Sequence, residues 1–331
     1  MAALSLRRGL VWPVALAAVS LFVAIDFVQH PFRGSTQAGN AAERRSRLAI
    51  VIPGSELGGP SSSVVRLLVA AARREGLQID AARQRGGATA AVESVIGVGP
   101  GARQRLLAVS AETLVQLGQD RRETLIPGVA ERAERAWRRL AAARPLALLA
   151  VDPAAVAVAG RSPLRSFADL GSELRGGKLV VGVGQDLWSR ALLASLVAGS
   201  GVDGRVPYRA FSGSSEAAAA TSSHDARVVL GPRSALTRRP GTVRILHGDW
   251  PAGPRPLQWV ALVAPVAANG PAADRLAAVA QRPAWRRALR RHGLRPVTAG
   301  PAATRRFLAA ERARASTLVR DLIRVRARSA R

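Results

Sequence analysis

The chain has 331 residues, of which 48% are hydrophobic, enough for two ordinary domains with packed cores and too apolar for wholesale disorder. Its formal net charge is +27, and all but Lys178 of its 49 basic residues are arginine, which reads as a solvated surface shaped by coding bias, with non-specific attraction of anionic partners as the alternative. It has no cysteine, which excludes disulfides, thiolate catalysis, Cys-based zinc sites and an N-terminal lipidated cysteine.

Arg7 and Arg8 form a short positive flank before Leu10–Val28, which is apolar except for Ser20 and Asp26. The run nears bilayer-spanning length, and no clean A-x-A site follows it. Residues 1–28 therefore read as a signal anchor, with a cleaved signal peptide as the alternative. The arginine-first flank puts the rest of the chain outside the cytoplasm. Residues 29–44 are polar and rich in Gly, Ser and Ala, and read as a tether.

The folded part opens with the apolar strand Leu48–Ile52. A turn-rich loop over residues 53–63 leads to a helix with Val64, Leu67, Leu68 and Ala71 on one face, ending at Gly76. Strands are predicted at 77–81 and 106–109, with a helix opening at Gly86-Gly87-Ala88-Thr89 between them. Two short apolar segments, 146–151 and 155–159, flank Asp152-Pro153. A helix at 167–174, a strand at 179–183, a helix at 187–198 and a strand at 205–208 follow. Ser212-Gly213-Ser214-Ser215 starts an alanine-rich helix, and strands are predicted at 227–230, 243–246 and 259–264. Helices at 271–282, 283–292 and 301–326 close the chain. Strands alternating with helices predict an α/β protein with a parallel sheet.

Four loops share one design in which a strand ends, small residues follow and a helix begins. They are Gly58-Gly59-Pro60-Ser61, Gly86-Gly87-Ala88-Thr89, Gly184-Gln185-Asp186 and Phe211-Ser212-Gly213-Ser214. Bare backbone N–H groups and the positive end of a helix dipole suit such loops to carboxylates or phosphates. Two loops fall in each half of the chain, as expected for a cleft at the carboxyl ends of strands. Asp186 reads as a helix cap. Enzyme chemistry finds no footing: His30, His224, His247 and His292 are scattered, no G-x-S-x-G elbow occurs, and Lys178 stands outside any phosphate-binding loop. Trp137, Trp188, Trp259 and Trp285 read as core.

Three stretches carry a family resemblance: Val206-Pro-Tyr-Arg-Ala-Phe-Ser-Gly213 with Glu216-Ala217, Trp259–Pro265, and Pro283–Leu289 with Gly293. On them the chain resembles the substrate-binding proteins of tripartite tricarboxylate transporters, from about Leu48 to Ile323. The resemblance implies a two-domain Venus-flytrap fold of the type II periplasmic binding class. Domain one would comprise 45–148 plus 262–331 and domain two 149–261, with hinge strands near Leu149 and Val260. It implies a non-enzymatic, monomeric protein without cofactor or metal that closes over a small organic carboxylate for membrane permease subunits. The implied ligand shell is Gly58, Gly59, Ser61, Gly87, Thr89, Gly184, Gln185, Ser212, Gly213 and Ser234, with Arg233 beside it and Phe211 as apolar wall. The chain departs from the family pattern where Ser61 replaces an acid, where 85–89 keeps only part of the second glycine loop, and where Gly231-Pro232-Arg233-Ser234 stands in a pocket wall. Two other classes stay open: a ligand sensor, and a cationic cell-envelope interaction protein with a vestigial cleft. Export excludes nucleic acid as partner.

Overall fold

The computed structural model describes residues 48–54, 60–97, 104–124, 126, 128–177, 179–202, 206–221, 226–237, 243–266 and 270–329. The apolar run Leu10–Val28, the tether, and Gly58 and Gly59 of the first loop lie outside the described residues. Among the described residues no helix is long and apolar enough to cross a membrane.

The elements in chain order are β1 (Leu48–Pro53), α1 (Pro60–Arg74), β2 (Ile79–Gln84), α2 (Gly87–Ile96), β3 (Arg105–Ser110), α3 (Ala111–Glu123), α4 (Val129–Ala142) and β4 (Arg144–Ala159). Then come α5 (Phe167–Arg175), β5 (Val181–Gly184), α6 (Leu187–Gly199), β6 (Tyr208–Phe211), α7 (Ser214–Ala220), β7 (Val228–Pro232), α8 (Arg233–Leu236) and β8 (Val243–Ile245). The chain closes with β9 (Leu257–Ala264), α9 (Pro271–Val279), α10 (Pro283–Arg291), β10 (Arg295–Pro296) and α11 (Pro301–Ser329).

The sheet runs β2-β1-β3-β9-β4-β7-β5-β6, with β8 and β10 also paired to β4. It is mixed, which corrects the parallel sheet expected from the alternation of elements. β1 pairs in parallel with β2 and β3, and β5 with β6 and β7, but β9 is antiparallel to β3 and β4, and β4 is antiparallel to β7. The reversal has a simple cause. The chain leaves the β1–β3 half along β4 and returns along β9, so the two crossing strands run opposite ways.

β4 is a single 16-residue strand where the sequence suggested two segments. Pro153, which has no N–H, falls where the pairing changes hands: β9 pairs Arg144 through Pro153, and β7 takes Ala154 through Val158. A proline is tolerated there because no single ladder needs its donor. Side chains alternate between faces as strand geometry demands. In β9, Val260, Leu262 and Ala264 join one core cluster, while Trp259, Ala261 and Val263 join the opposite one. The second cluster is continuous across both halves of the sheet, joining Leu114 of α3, Leu192 of α6, and Val156 and Val158 of β4. On the other face the core is divided. α1, α9 and α10 cover the β1–β3 half, and a smaller cluster with α7 covers the β5–β7 half.

The sequence reading left α3 and α4 unassigned. α3 begins with a capping box in which Ser110 and Thr113 bond reciprocally. α4 buries Ala133, Ala136, Trp137 and Leu140, a one-face pattern. Trp137, Trp188, Trp259 and Trp285 are all buried, as the sequence reading expected, and Trp250 joins them.

Gly199 closes α6 against the backbone of Pro251 and Ala252. A Cβ there would sit 2.6 Å from the Pro251 carbonyl carbon and 2.8 Å from Ala252 Cα. Gly199→Ala should therefore cost about 1–3 kcal/mol by overpacking, read as a lower urea midpoint. Gly176→Ala, whose Cβ would meet nothing closer than 3.4 Å, should change the midpoint little.

Candidate functional site

Because β5, β6 and β7 are parallel, their carboxyl ends emerge on one edge, and the loops to α6, α7 and α8 meet there. Gln185 N–H donates to the Phe211 carbonyl at 2.8 Å, joining the first two loops. A Cβ on Gly231 would lie 2.6 Å from Ser214 Cβ, so the third loop packs on the second. Gly184, Gln185, Ser212, Gly213 and Ser234 are thus gathered on one edge.

Carboxylates of the protein occupy many of the donors on that edge. Asp186 caps α6, accepting from Ser189 N–H at 2.8 Å and Ser189 Oγ at 2.7 Å. Glu216 accepts the Ser212 N–H at 2.8 Å and the Ser212 hydroxyl as well, and these bonds hold its carboxyl below the usual glutamate range. Asp152, buried on β4, accepts the Ser234 N–H at 3.2 Å and the Ser234 hydroxyl. The donors of Ser212 and Ser234 that sequence reasoning assigned to a ligand therefore serve resident acids. Arg233 is exposed. Phe211 is half-buried against the small core cluster under α7, with Cε2 3.1 Å from where a Gly182 Cβ would stand.

On the β1–β3 half, Gly86 (φ 91°) and Gly87 (φ 75°) take the left-handed turn that starts α2 and that side chains resist. Gln116 of α3 lies over this turn: Ala88 N–H donates to its Oε1 at 3.1 Å, and a Cβ on Gly87 would meet the Gln116 side chain. Thr89 Oγ1 donates to Asp120 Oδ2 at 3.1 Å; burial pushes the Asp120 carboxyl up, and the Thr89 bond opposes the push. Ser61 behaves differently. It is wholly buried in the first turn of the 15-residue α1, and its hydroxyl has no hydrogen-bond partner.

Apart from these loops, a cavity of about 120 Å³ is lined from both halves, by Ala111 and Leu114 of α3, Trp188 of α6, Trp259 of β9 and Glu311 of α11. Trp259 Nε1–H donates to Glu311 Oε2 at 2.8 Å, Arg314 pairs with the same carboxylate, and Phe307 meets Trp259 edge-on at 5.4 Å. Burial raises the Glu311 carboxyl, with Arg314 opposing. Among the described residues no three His, Cys, Asp or Glu side chains form a group able to hold a metal ion.

Sequence reasoning missed Asp152, Gln116 and Asp120. Only Asp152 carried a signal, as the one charged residue inside the apolar stretch 146–159. Gln116 and Asp120 belong to the unassigned helix α3.

No protein-family model matches the chain, and no curated protein matches its sequence. Solved structures do match its fold. A TctC solute binding protein from Polaromonas, solved without ligand, is 16% identical with a TM-score of 0.59, covering 83% of this chain and 98% of its own. MatC from Rhodopseudomonas palustris with bound malate is 20% identical with a TM-score of 0.59, at 82% and 99% coverage. A second Rhodopseudomonas palustris protein, solved with adipate, is 18% identical with a TM-score of 0.62, at 84% and 97% coverage. The chain thus has the α/β fold of the TctC-type periplasmic solute-binding proteins. Its structural neighbours are substrate-binding proteins rather than enzymes.

Glu311 gives the site region a pH signature. Its folded-state pKa is raised, so its contribution to stability is fully present at low pH and is lost as pH rises through and above the ordinary glutamate range. Glu311→Gln keeps an acceptor for Trp259. Its stability relative to wild type, measured by urea unfolding at a series of pH values, should improve as pH rises across that interval; a constant difference would overturn this reading.

Proposed function

We propose that this chain is an extracytoplasmic solute-binding protein that captures a small organic carboxylate, of di- or tricarboxylate type, between the two halves of its sheet. The observation that carries the reading is Ser61. A fully buried hydroxyl without a partner, in the first turn of a long helix, is a costly arrangement unless an acceptor arrives. A ligand carboxylate supplies that acceptor. The likeness of fold to proteins solved with malate and adipate supports the same ligand class. On the opposite edge the ligand meets Gly184, Gln185, Ser212, Gly213 and Ser234, where Glu216 and Asp152 already take donors. A second carboxylate is therefore held there mainly by backbone and water, and the main grip belongs to Ser61 in the first turn of α1; Gly58, Gly59 and Gly87 complete the proposed shell, and Thr89 would have to give up its bond to Asp120 to join it.

In this reading residues 45–148 and 262–331 form one domain, residues 149–261 the other, and closure occurs about β4 and β9. Residues 1–28 hold the protein at the outer face of the cytoplasmic membrane, and the loaded form docks on permease subunits of a tripartite tricarboxylate-type transporter. The donors already filled by Asp152 and Glu216 favour one second reading, a cationic cell-envelope protein whose cleft no longer binds solute.

A thermal-shift screen of the purified protein against small di- and tricarboxylates separates the two. A true ligand at a hundred times its Kd adds about 2.7 kcal/mol of stability, and the shift should survive high salt. Ser61→Ala should abolish it while leaving the unliganded melting temperature equal or higher, because the unsatisfied hydroxyl is removed. A flat screen, or a shift that disappears in salt, would sink the solute-binding reading.

A further inference from the structure

The ligand reading makes no use of the charge of +27. A groove of about 480 Å³ runs between α1 and α10 on the face away from α3 and α6. Its floor includes Leu67, Trp285 and Ala288, and its rim carries Arg74, Arg287 and Arg291. The acid at the rim, Glu75, is already paired with Arg282 at 3.1 Å. No described acid pairs with Arg74, Arg287 or Arg291, and all three are exposed. Trp285 is buried with its Nε1–H unpartnered. The groove is therefore apolar below, cationic above, and short of acceptors.

Its position within the fold matters as much as its chemistry. The chain enters the folded body at Leu48, whose N–H donates to the Gln78 carbonyl, and Gln78 lies just past the C-terminal end of α1 that carries Arg74 and Glu75. The cationic rim thus stands at the end of the body where the N-terminal segment joins.

We propose that the α1/α10 groove is a docking surface for an anionic phospholipid membrane, which lays the body on the bilayer by this face. The proposal rests on the reading that Leu10–Val28 sits in that membrane. Guanidinium groups suit phosphodiesters because their planar fork donates two parallel hydrogen bonds and is weakly hydrated. The apolar floor accepts the glycerol end of the same lipid. Three unpaired arginines are too few to hold a free protein firmly, but the anchor makes docking intramolecular and so raises its effective concentration.

Because the chain has no cysteine, single probes are easily placed. Ala284→Cys at the groove and Ala313→Cys on the exposed side of α11 would each carry a fluorophore in the full chain. The labelled proteins would be reconstituted in vesicles bearing a headgroup quencher, made either of phosphatidylcholine alone or with phosphatidylglycerol. In the anionic vesicles, quenching at position 284 should exceed that at 313 several-fold. It should fall to the 313 level in 1 M salt, where the screening length is about 3 Å, and in the triple variant Arg74→Ala, Arg287→Ala, Arg291→Ala. The equal-charge control Arg122→Ala, Arg305→Ala, Arg306→Ala should keep it. Equal quenching at both positions, quenching that persists without phosphatidylglycerol, or equal loss in the control variant would each overturn the proposal, the last assigning the effect to net charge alone. The salt arm decides the matter on the unaltered arginines if the triple variant fails to fold. Flotation with pure phosphatidylcholine vesicles tests the anchor separately, so failure of the anchor and failure of the groove give different results.

Discussion

The antiparallel pairing of β4 with β9 is the constraint on which the rest of the molecule depends. β4 hydrogen-bonds in turn to β9, β10, β7 and β8, and β9 ties β4 to β3. Without this pair the β1–β3 and β5–β7 halves would share no ladder. Both strands are buried on both faces, Leu149, Val156, Val260 and Leu262 almost completely, so their backbone groups have no water to fall back on and must be paired. Pro153 and Asp152 sit at the one place where that pairing changes hands. There a missing N–H is harmless, and a buried carboxylate finds donors on Ser234.

From this arrangement follows the asymmetry of the candidate site. The β5–β7 edge is built around acids: Asp186, Glu216 and Asp152 each accept a backbone N–H at the start of a helix. Such bonds satisfy orphan donors and stabilise the loops whether or not a ligand is present. The β1–β3 edge mixes neutral and acidic partners, with Gln116 over the start of α2, Asp120 accepting from Thr89, and an unpaired Ser61 hydroxyl at the start of α1. An anion at the β5–β7 edge would meet Glu216 and Asp152, and at the β1–β3 edge it would meet Asp120, so the unpaired Ser61 hydroxyl is what sets the first turn of α1 apart.

The same imbalance of charge shapes the exterior. Acids are few, and several are taken up by ion pairs that join separate elements, as in Arg121–Glu134, Arg132–Glu93 and Arg326–Glu123. Arg121 also stacks on Trp137, at 4.9 Å, and Arg312 does so at 4.7 Å, and burial lowers the Arg312 pKa. A surface with so few counter-charges leaves guanidinium groups in excess, and where they border an apolar floor, as at Arg74, Arg287 and Arg291, the excess becomes directional.

The α/β class, most of the elements, the tryptophan core and the strand-to-helix loops with small residues are legible in the order of residues alone. Those features depend on short-range patterns: apolar runs such as Trp259–Ala264, helix stops such as Gly76, and the Asp186 cap, which lies three residues from the Ser189 N–H it holds. The family motifs around Phe211, Trp259 and Trp285 pointed to the fold that the solved structures share. The mixed order of the sheet, the fusion of 146–151 and 155–159 into β4, and the partners of the loop donors come from the folded arrangement. The reason is distance along the chain. Asp152 meets Ser234 across 82 residues, Gln116 reaches Ala88 across 28, and Glu311 holds Trp259 across 52. No local pattern encodes such meetings, because which polar group reaches a bare N–H is settled by how the strands pair and the helices pack.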